Sequence, residues 1–173
     1  AIPRDWVRFR ACDYGYGSFS AVIWFAVAPD ESIVVYRELY VTKVLAEDLA
    51  NMVLEMEDNE PIRYGVLDSS CWHKRGDTGP SIAERMIMKG CRWRPADRSA
   101  GSRVAGKNEV HRRLQIDPFT EAPRMTIFSG CTQLIADLPS LPLDKSNVED
   151  VDTKVKNDHT YDALRYGLMS RPR

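Results

Sequence analysis

The order of strand-forming and helix-forming segments is the feature that most constrains the fold of this chain. Three runs near its start, residues 6–12, 20–28 and 32–41, are rich in β-branched and aromatic residues and are separated by short polar or glycine-rich loops. Such short connections join antiparallel strands, since parallel strands need a long crossover. The sequence therefore predicts a sheet that begins with three antiparallel strands.

Helix-like and strand-like segments alternate after the third run. Apolar periodicity predicts helices at 43–58, with Thr42 as its N-cap, and at 81–89, 101–114 and 132–138, and strands at 62–67, 91–95 and 125–128. The polar and acidic segment 141–156 predicts a loop, and a last helix opens near Asp158. The pattern indicates an α/β fold with a mixed sheet, in which parallel strands follow the antiparallel ones and helices flank both faces.

Composition limits the classes to which the chain can belong. A length of 173 residues, 43% of them hydrophobic and 28% charged, is typical of a single folded domain. The four cysteines lack C-x-x-C spacing, which predicts buried reduced thiols in a cytosolic protein. No apolar run is long enough to span a bilayer and no signal peptide is present, so we expect neither membrane insertion nor secretion.

The charged residues are unevenly distributed, although the net charge is only −1. Acidic side chains dominate residues 30–60, and basic side chains dominate residues 85–113. This reversal predicts one acidic side and one basic side, the latter able to follow a polyanion. Solvated helix faces that happen to differ in sign explain the same pattern, so both interpretations stay open.

Three aspartates occupy positions that the predicted fold brings together. Asp13 ends the first strand, Asp68 follows the fourth strand, and Asp162 lies in the last helix, where Asp158 and His159 share its face. If the first and fourth strands are parallel neighbours, their ends meet at one edge of the sheet, where α/β folds bind ligands. Gathered carboxylates repel unless a cation compensates, and hard oxygen ligands favour Mg²⁺ or Mn²⁺. Two such ions form the usual arrangement for hydrolysing phosphodiesters.

Each of these aspartates also has a purely structural explanation. Asp13 precedes a glycine-rich loop and is a plausible turn residue. Asp68 precedes two serines and fits a loop cap, and either Asn157 or Asp158 fits the N-cap of the last helix. Asp162 is the hardest to explain in this way, because aspartate is a poor residue inside a helix.

Four sequence segments resemble a known family. They are DYG at 13–15, YGVLD at 64–68, GPSIAE at 79–84 and DHTYDALRY at 158–166. With them, nearly the whole chain resembles the C-terminal nuclease domain of the large terminase subunit of tailed bacteriophages, which has a ribonuclease H-like fold. The resemblance implies that Asp13, Asp68 and Asp162 are catalytic and hold Mg²⁺ or Mn²⁺, with two ions expected.

The same resemblance extends to residues around these ligands. His159 matches a histidine that approaches the metal in some members, and Asp158 is expected beside the ligands rather than on the ions. Glu38, in the third strand, receives no assignment. Candidate DNA contacts are the loop residues Lys74 and Arg75 and four cations of the basic helix, namely Arg103, Lys107, Arg112 and Arg113.

The resemblance also implies a biological setting. Large terminase subunits carry an ATPase motor in addition, but this chain lacks a G-x-x-x-x-G-K-[ST] segment, so we expect no ATP binding. We expect residues 1–173 to be a single nuclease domain excised from a longer chain. The implied activity is cleavage of double-stranded DNA, with little sequence preference, during genome packaging. The implied partners are the motor domain, the small terminase subunit and the portal, in the cytoplasm of the infected bacterium.

Two other functions fit the same residues. A junction-resolving nuclease or an integrase of this superfamily would use the same chemistry on another DNA structure. A catalytically inert module that binds DNA or docks on a motor would keep the fold without the reaction.

Overall fold

The chain forms a mixed sheet covered by helices. The structure, a computed structural model, describes residues 1–74, 76, 79–140 and 158–171. The strands are β1 (Val7–Asp13), β2 (Phe19–Val27), β3 (Ile33–Thr42), β4 (Ile62–Leu67), β5 (Arg94–Pro95), β6 (Ile116–Asp117), β7 (Ala122–Pro123) and β8 (Met125–Ile127). The helices are α1 (Ala46–Glu57), α2 (Ile82–Met88), α3 (Ser102–Leu114), α4 (Thr132–Ser140) and α5 (His159–Met169), with a short 3₁₀ helix at Ser69–Trp72.

Six strands make up the main sheet, in the order β5-β4-β1-β2-β3-β8. The pairs β1–β2 and β2–β3 are antiparallel, whereas β1–β4, β4–β5 and β3–β8 are parallel. In the β1–β4 ladder Cys12 lies opposite Leu67, so Asp13 and Asp68 leave neighbouring strands at the same edge. The prediction of antiparallel strands followed by parallel ones is confirmed.

Helices cover both faces of the sheet, as predicted. One core joins sheet residues such as Phe9 and Phe25 to α3, α4 and α5. The other joins Val22 and Trp24 to α1 and α2. None of the helices in the described part of the chain is long and apolar enough to cross a membrane, and none of the four buried cysteines forms a disulfide.

The last helix, α5, rests on stacked aromatic rings that span three strands. The ring of Phe9 stacks on that of Phe25, with centroids 4.6 Å apart, and on that of Tyr64, at 5.0 Å. A Cβ atom added at Gly167 of α5 would overlap the Phe25 ring, so the helix backbone lies directly against the sheet. This seating fixes the position of the first turn of α5.

Helix α3 packs equally closely on the other side of α5. A Cβ atom added at Gly106 would overlap the aliphatic part of Arg165. The strip of α5 predicted to face the domain, Tyr161, Leu164, Arg165 and Leu168, is buried, which confirms that prediction.

Several boundaries differ from the sequence-based expectations. Helix α1 begins at Ala46 rather than at residue 43, and Thr42 is the last residue of β3, not an N-cap. Lys43 has a φ of 55°, a left-handed conformation that cannot start an α-helix. The 3₁₀ helix and the β6–β7 hairpin were not predicted, and the predicted loop at 141–156 lies outside the described residues.

Replacing Gly167 by alanine tests the close seating of α5. Glycine to alanine inside a helix normally stabilises a protein by about 0.5–1 kcal/mol. Here the added methyl group would meet the Phe25 ring, so we expect Gly167→Ala to lower the free energy of unfolding by about 1–3 kcal/mol. Urea denaturation measures the change.

Gly17→Ala is the matched control, because a Cβ atom at Gly17 would meet nothing within 4 Å. Its free energy of unfolding should stay close to that of the wild type. A Gly167→Ala variant as stable as the wild type would show that α5 does not depend on this contact.

Candidate functional site

Asp13 and Asp68 stand side by side at the carboxyl ends of β1 and β4. The backbone N–H of Asp68 donates to the carbonyl oxygen of Cys12, with a nitrogen–oxygen distance of 3.1 Å. Asp13 is buried, at 8% exposure. The Asp68 carboxylate starts the 3₁₀ helix by accepting the backbone N–H of Ser70 at 3.1 Å. The predicted cap role of Asp68 is therefore real, and it leaves the side chain at the sheet edge.

The first turn of α5 brings two more side chains to this edge. His159 Nδ1 lies 2.9 Å from Asp13 Oδ2. Three residues further along, Asp162 Oδ1 accepts from Arg165 Nη2 at 2.9 Å. Both contacts are largely shielded from solvent. Residues that are far apart in the sequence thus meet at the end of β1; the catalytic and metal-binding roles predicted for them stay predictions.

The carboxylates are close enough to influence one another. Burial raises the pKa of Asp13 to about 7, and the negative charges of Asp162 and Asp68 act in the same direction. The hydrogen bond with His159 opposes this rise, and the same bond raises the pKa of the His159 imidazole. The three aspartates therefore form one electrostatic cluster.

Tyr166 is a site residue that the sequence interpretation missed. Burial raises the pKa of its phenol, and Asp13, Asp162 and Asp68 raise it further. The phenol is therefore close enough to all three carboxylates to be affected by their charge. The signal was available, because Tyr166 lies four residues after Asp162 and so shares its side of the helix.

Asp158 lies at the margin of the cluster. It occupies the N-cap position of α5, but its side chain makes no capping hydrogen bond, which argues against the simple cap explanation. Burial raises its pKa, followed by the charge of Asp162, whereas the nearby Arg103 acts in the opposite direction. Asp158 thus connects the aspartate cluster with the start of α3.

Glu38 has a structural role that the sequence did not disclose. Its two carboxylate oxygens accept the backbone N–H groups of Gln133 and Leu134, at 2.9 and 3.0 Å, at the start of α4. The same helix carries Asp137, which accepts the hydroxyl of Thr160 at 2.5 Å. Glu38 therefore braces α4, and α4 in turn holds the first turn of α5.

The oxygen donors suit a hard divalent cation, but they are not arranged around one. Within the described ranges, no three His, Cys, Asp or Glu side chains converge as a ready metal site. His159, Arg165 and the Ser70 N–H each engage one oxygen of Asp13, Asp162 and Asp68, respectively. Cation binding would therefore require the carboxylates to rotate, and it would compensate the burial and the repulsion that together raise the pKa of Asp13.

Two predicted DNA contacts are contradicted by burial. Arg113 is 2% exposed; its Nε donates to Glu109 at 2.8 Å and its Nη2 donates to the carbonyl of Arg171 at 2.8 Å. Lys107 is 9% exposed. Neither side chain is presented to a polyanion in solution. Glu109 and Arg113 are four residues apart, the spacing at which oppositely charged side chains form a salt bridge on a helix, so this pairing could have been recognised in the sequence.

The other predicted DNA-contact residues lie at two different ends of the sheet. Arg112 is exposed and pairs with Glu109, at the end of α3 where Arg113 approaches the β2–β3 turn. That turn lies at the opposite end of the strands from Asp13, roughly 20 Å away. Arg103 lies near Asp158, whose pKa it lowers, and Lys74, six residues after Asp68 in the chain, forms an ion pair with Glu84 at 3.9 Å. Arg75 lies outside the described residues.

A further cation beside Asp68 was missed. The backbone N–H of Ala96 donates to the Leu67 carbonyl at 2.9 Å, which places the segment after β5 next to Asp68. In this segment the exposed Arg98 contacts His73 Nε2 through Nη1 at 3.2 Å. We use the name basic rim for His73, Lys74, Arg98 and Arg103. Arg98 belongs to the basic run and follows a predicted strand, so its location was inferable.

Known proteins resemble this chain in structure rather than in sequence. No protein-family model matches it, and no curated protein matches it. The nuclease domain of the P22 large terminase superposes with a TM-score of 0.73 at 18% identity, covering 99% of this chain and 84% of that one. The large terminase nuclease of thermophilic phage G20c with bound zinc gives a TM-score of 0.60 at 12% identity, covering 99% and 85%.

A longer relative is the large terminase of another thermophilic bacteriophage, in complex with ADP. Its TM-score is 0.74 at 16% identity, with 98% of this chain covered. The present chain spans about two fifths of that protein, 41% of its length. The protein therefore has the ribonuclease H-like fold of large terminase nuclease domains.

Proposed function

We propose that this protein is a divalent-metal-dependent endonuclease that cuts double-stranded DNA with little sequence preference. The observation that carries the proposal is the meeting of Asp13, Asp68 and Asp162 from β1, β4 and α5, with the pKa of Asp13 raised to about 7. A cluster of partly buried carboxylates at the carboxyl edge of a sheet is unfavourable unless a ligand uses it. The shared fold with terminase nucleases adds support.

The chain's own residues would prepare the site for this chemistry. Two Mg²⁺ or Mn²⁺ ions, when bound by the three aspartates, would activate the attacking water and stabilise the leaving oxygen. His159 orients Asp13, with its second nitrogen left as a candidate ligand, and Arg165 orients Asp162. Asp158 stays beside the ligands, as expected from the sequence.

The basic rim would hold the DNA backbone next to the aspartates. Its basic residues come from the end of the 3₁₀ helix, the segment after β5 and the start of α3, which are the segments next to Asp68 and Asp158. Contacts of cations with phosphate position a duplex without reading its sequence. Lys107 and Arg113 have no part in this interface because both are buried.

The biological role we propose is the generation of genome ends during viral DNA packaging. Both the longer and the shorter structural neighbours are large terminases of bacteriophages. On this proposal the chain acts together with an ATPase motor domain; a large terminase that resembles it in structure was solved in complex with ADP, which supports this. The small terminase subunit and the portal would be further partners, in the cytoplasm of the infected bacterium.

Conversion of each site aspartate to asparagine should abolish cleavage while the fold is kept. We expect Asp13→Asn, Asp68→Asn and Asp162→Asn each to slow Mn²⁺-dependent nicking of supercoiled plasmid by more than about 100-fold, since each removes an oxygen charge from the ion site. Agarose gels measure nicking, and a mobility-shift assay checks that DNA binding persists. Glu55→Gln, on the exposed side of α1, is the control and should cut normally. Wild-type cleavage by Asp13→Asn would remove this site from the mechanism.

Metal binding should stabilise the protein more at pH 8 than at pH 6. Because the folded pKa of Asp13, about 7, lies above its ordinary value of 3.8, ionisation of Asp13 destabilises the metal-free protein as pH rises from about 4 to 7. A cation reverses this effect, but below pH 7 it must displace the Asp13 proton, so its apparent affinity should fall about tenfold per pH unit.

Thermal unfolding with and without Mn²⁺ measures this difference. At pH 8 and a concentration about 100-fold above Kd, we expect Tm to rise by about 5–10 °C in the wild type and in Glu55→Gln. In Asp13→Asn the rise should be much smaller and nearly independent of pH. An equal rise in Asp13→Asn at both pH values would place the bound ion elsewhere.

A further inference from the structure

A cavity of about 490 Å³ opens directly beside the aspartate cluster. Its walls come from the β1–β2 loop, the start of α1, the 3₁₀ helix and α2, through Gly15, Tyr16, Leu45, Ser70, Ile82 and Arg85. We use the name side pocket for this cavity. Its volume lies within the range of sites that bind small organic molecules. The side pocket has no part in holding the ions.

Two walls of the side pocket come from segments that directly follow site aspartates in the chain. Gly15 follows Asp13 by two residues, and the Ser70 N–H is the group that donates to Asp68. An extended chain advances by at most about 3.6 Å per residue, so the Gly15 part of the pocket wall lies within about 7 Å of the Asp13 backbone. A DNA strand whose phosphate lies at the aspartates would therefore place an adjacent nucleotide at this opening.

The walls are held in place before any ligand binds. The Ser20 hydroxyl bridges both backbone groups of Gly15, accepting from N–H at 3.0 Å and donating to the carbonyl at 2.8 Å. On the other side, the Tyr14 hydroxyl donates to the carbonyl of Val44 at 2.8 Å. These bonds anchor the loop that carries Tyr16. The pocket is thus preformed, which reduces the ordering cost of binding.

The chemistry of the walls suits a flat, neutral group. The ring of Tyr16 is 52% exposed and the side chain of Leu45 is 50% exposed, so both present apolar surface at the rim of the pocket. Arg85 is the charged residue of the lining, and its guanidinium donates twice to Glu47 Oε1, at 3.0 and 2.6 Å. Because Glu47 already compensates this charge, the pocket favours an uncharged ring over a phosphate. A nucleobase has these properties and stacks on aromatic side chains.

We propose that the side pocket receives one unstacked DNA base next to the phosphate that is cut, with the base stacked on Tyr16. This inference rests on the proposed nuclease function and adds a preference to it. Removing a base from the helix requires unpairing and unstacking, and these cost least at an unpaired nucleotide. The protein should therefore cut duplex DNA fastest at the linkage beside an unpaired nucleotide.

Mapping of cleavage positions tests this preference. The substrates are one duplex with all bases paired and the same duplex with a single-nucleotide bulge, cut in Mn²⁺ and resolved on sequencing gels. The ratio of cutting beside the bulge to cutting in paired DNA should be high for the wild type. Tyr16→Ala should lower the ratio by about 5- to 100-fold, the range expected for one lost base–aromatic stack, and Tyr16→Phe should restore it. Phe119→Ala, which removes a 94% exposed aromatic on the distal β6–β7 turn, should leave the ratio unchanged.

Photocross-linking provides a readout that does not need cleavage. A duplex with 5-iododeoxyuridine at the bulge is irradiated with the protein in Ca²⁺, and the linked peptide is identified by mass spectrometry. We expect the cross-link at Tyr16 and its loss in Tyr16→Ala. A cross-link that persists in Tyr16→Ala, or a wild type that cuts both duplexes alike, would overturn the side-pocket proposal while leaving the nuclease intact. Cross-linking at Tyr16 without any metal-dependent cutting would instead overturn the nuclease proposal, and with it the cleavage preference, while keeping the side pocket as a binding site for an unpaired base.

Discussion

The seating of helix α5 on the aromatic stack is the constraint on which the rest of the site depends. Phe25, Phe9 and Tyr64 come from three neighbouring strands, so their stack links β2, β1 and β4 beneath the helix. The Tyr64 hydroxyl also lies 2.9 Å from the Ser170 hydroxyl at the end of α5. Gly167 allows the helix backbone to reach these rings. A shift of α5 would move His159 and Asp162 away from Asp13 together.

Repulsion between the aspartates opposes the packing of α5 on the sheet. The cluster gathers negative charge in a poorly solvated place, as the raised pKa of Asp13 records. Two hydrogen-bonding partners, His159 and Arg165, limit the repulsion, and both belong to α5. Helix α5 therefore supplies one of the repelling carboxylates, Asp162, and also the two side chains that hydrogen-bond to Asp13 and Asp162. A functional site that is destabilising by itself can persist because the surrounding packing holds it.

Much of this arrangement was predictable because it depends on local sequence signals. Strand ends are marked by the transition from apolar runs to Asp13 and Asp68, and parallel pairing follows from the order of the elements. The buried strip of α5 follows from helical periodicity. These features need no knowledge of distant contacts, and for that reason the positions of the three aspartates could be inferred.

The unpredicted features depend on contacts between distant segments. Nothing near Glu38 in the sequence indicates that it binds the start of α4, some 95 residues later. The burial of Lys107 and Arg113 likewise depends on how α3 packs against α5.

The two faces of the sheet place different chemical surfaces around the same strand ends. Helix α3, which brings Arg103 to the cluster, packs on the face that also carries α5. Helices α1 and α2, which border the side pocket, pack on the opposite face. The aspartates lie between them, where β1 and β4 end. A charged surface suits the DNA backbone and an apolar one suits a base, so a nucleotide lying across the strand ends can satisfy both only if its base leaves the helical stack.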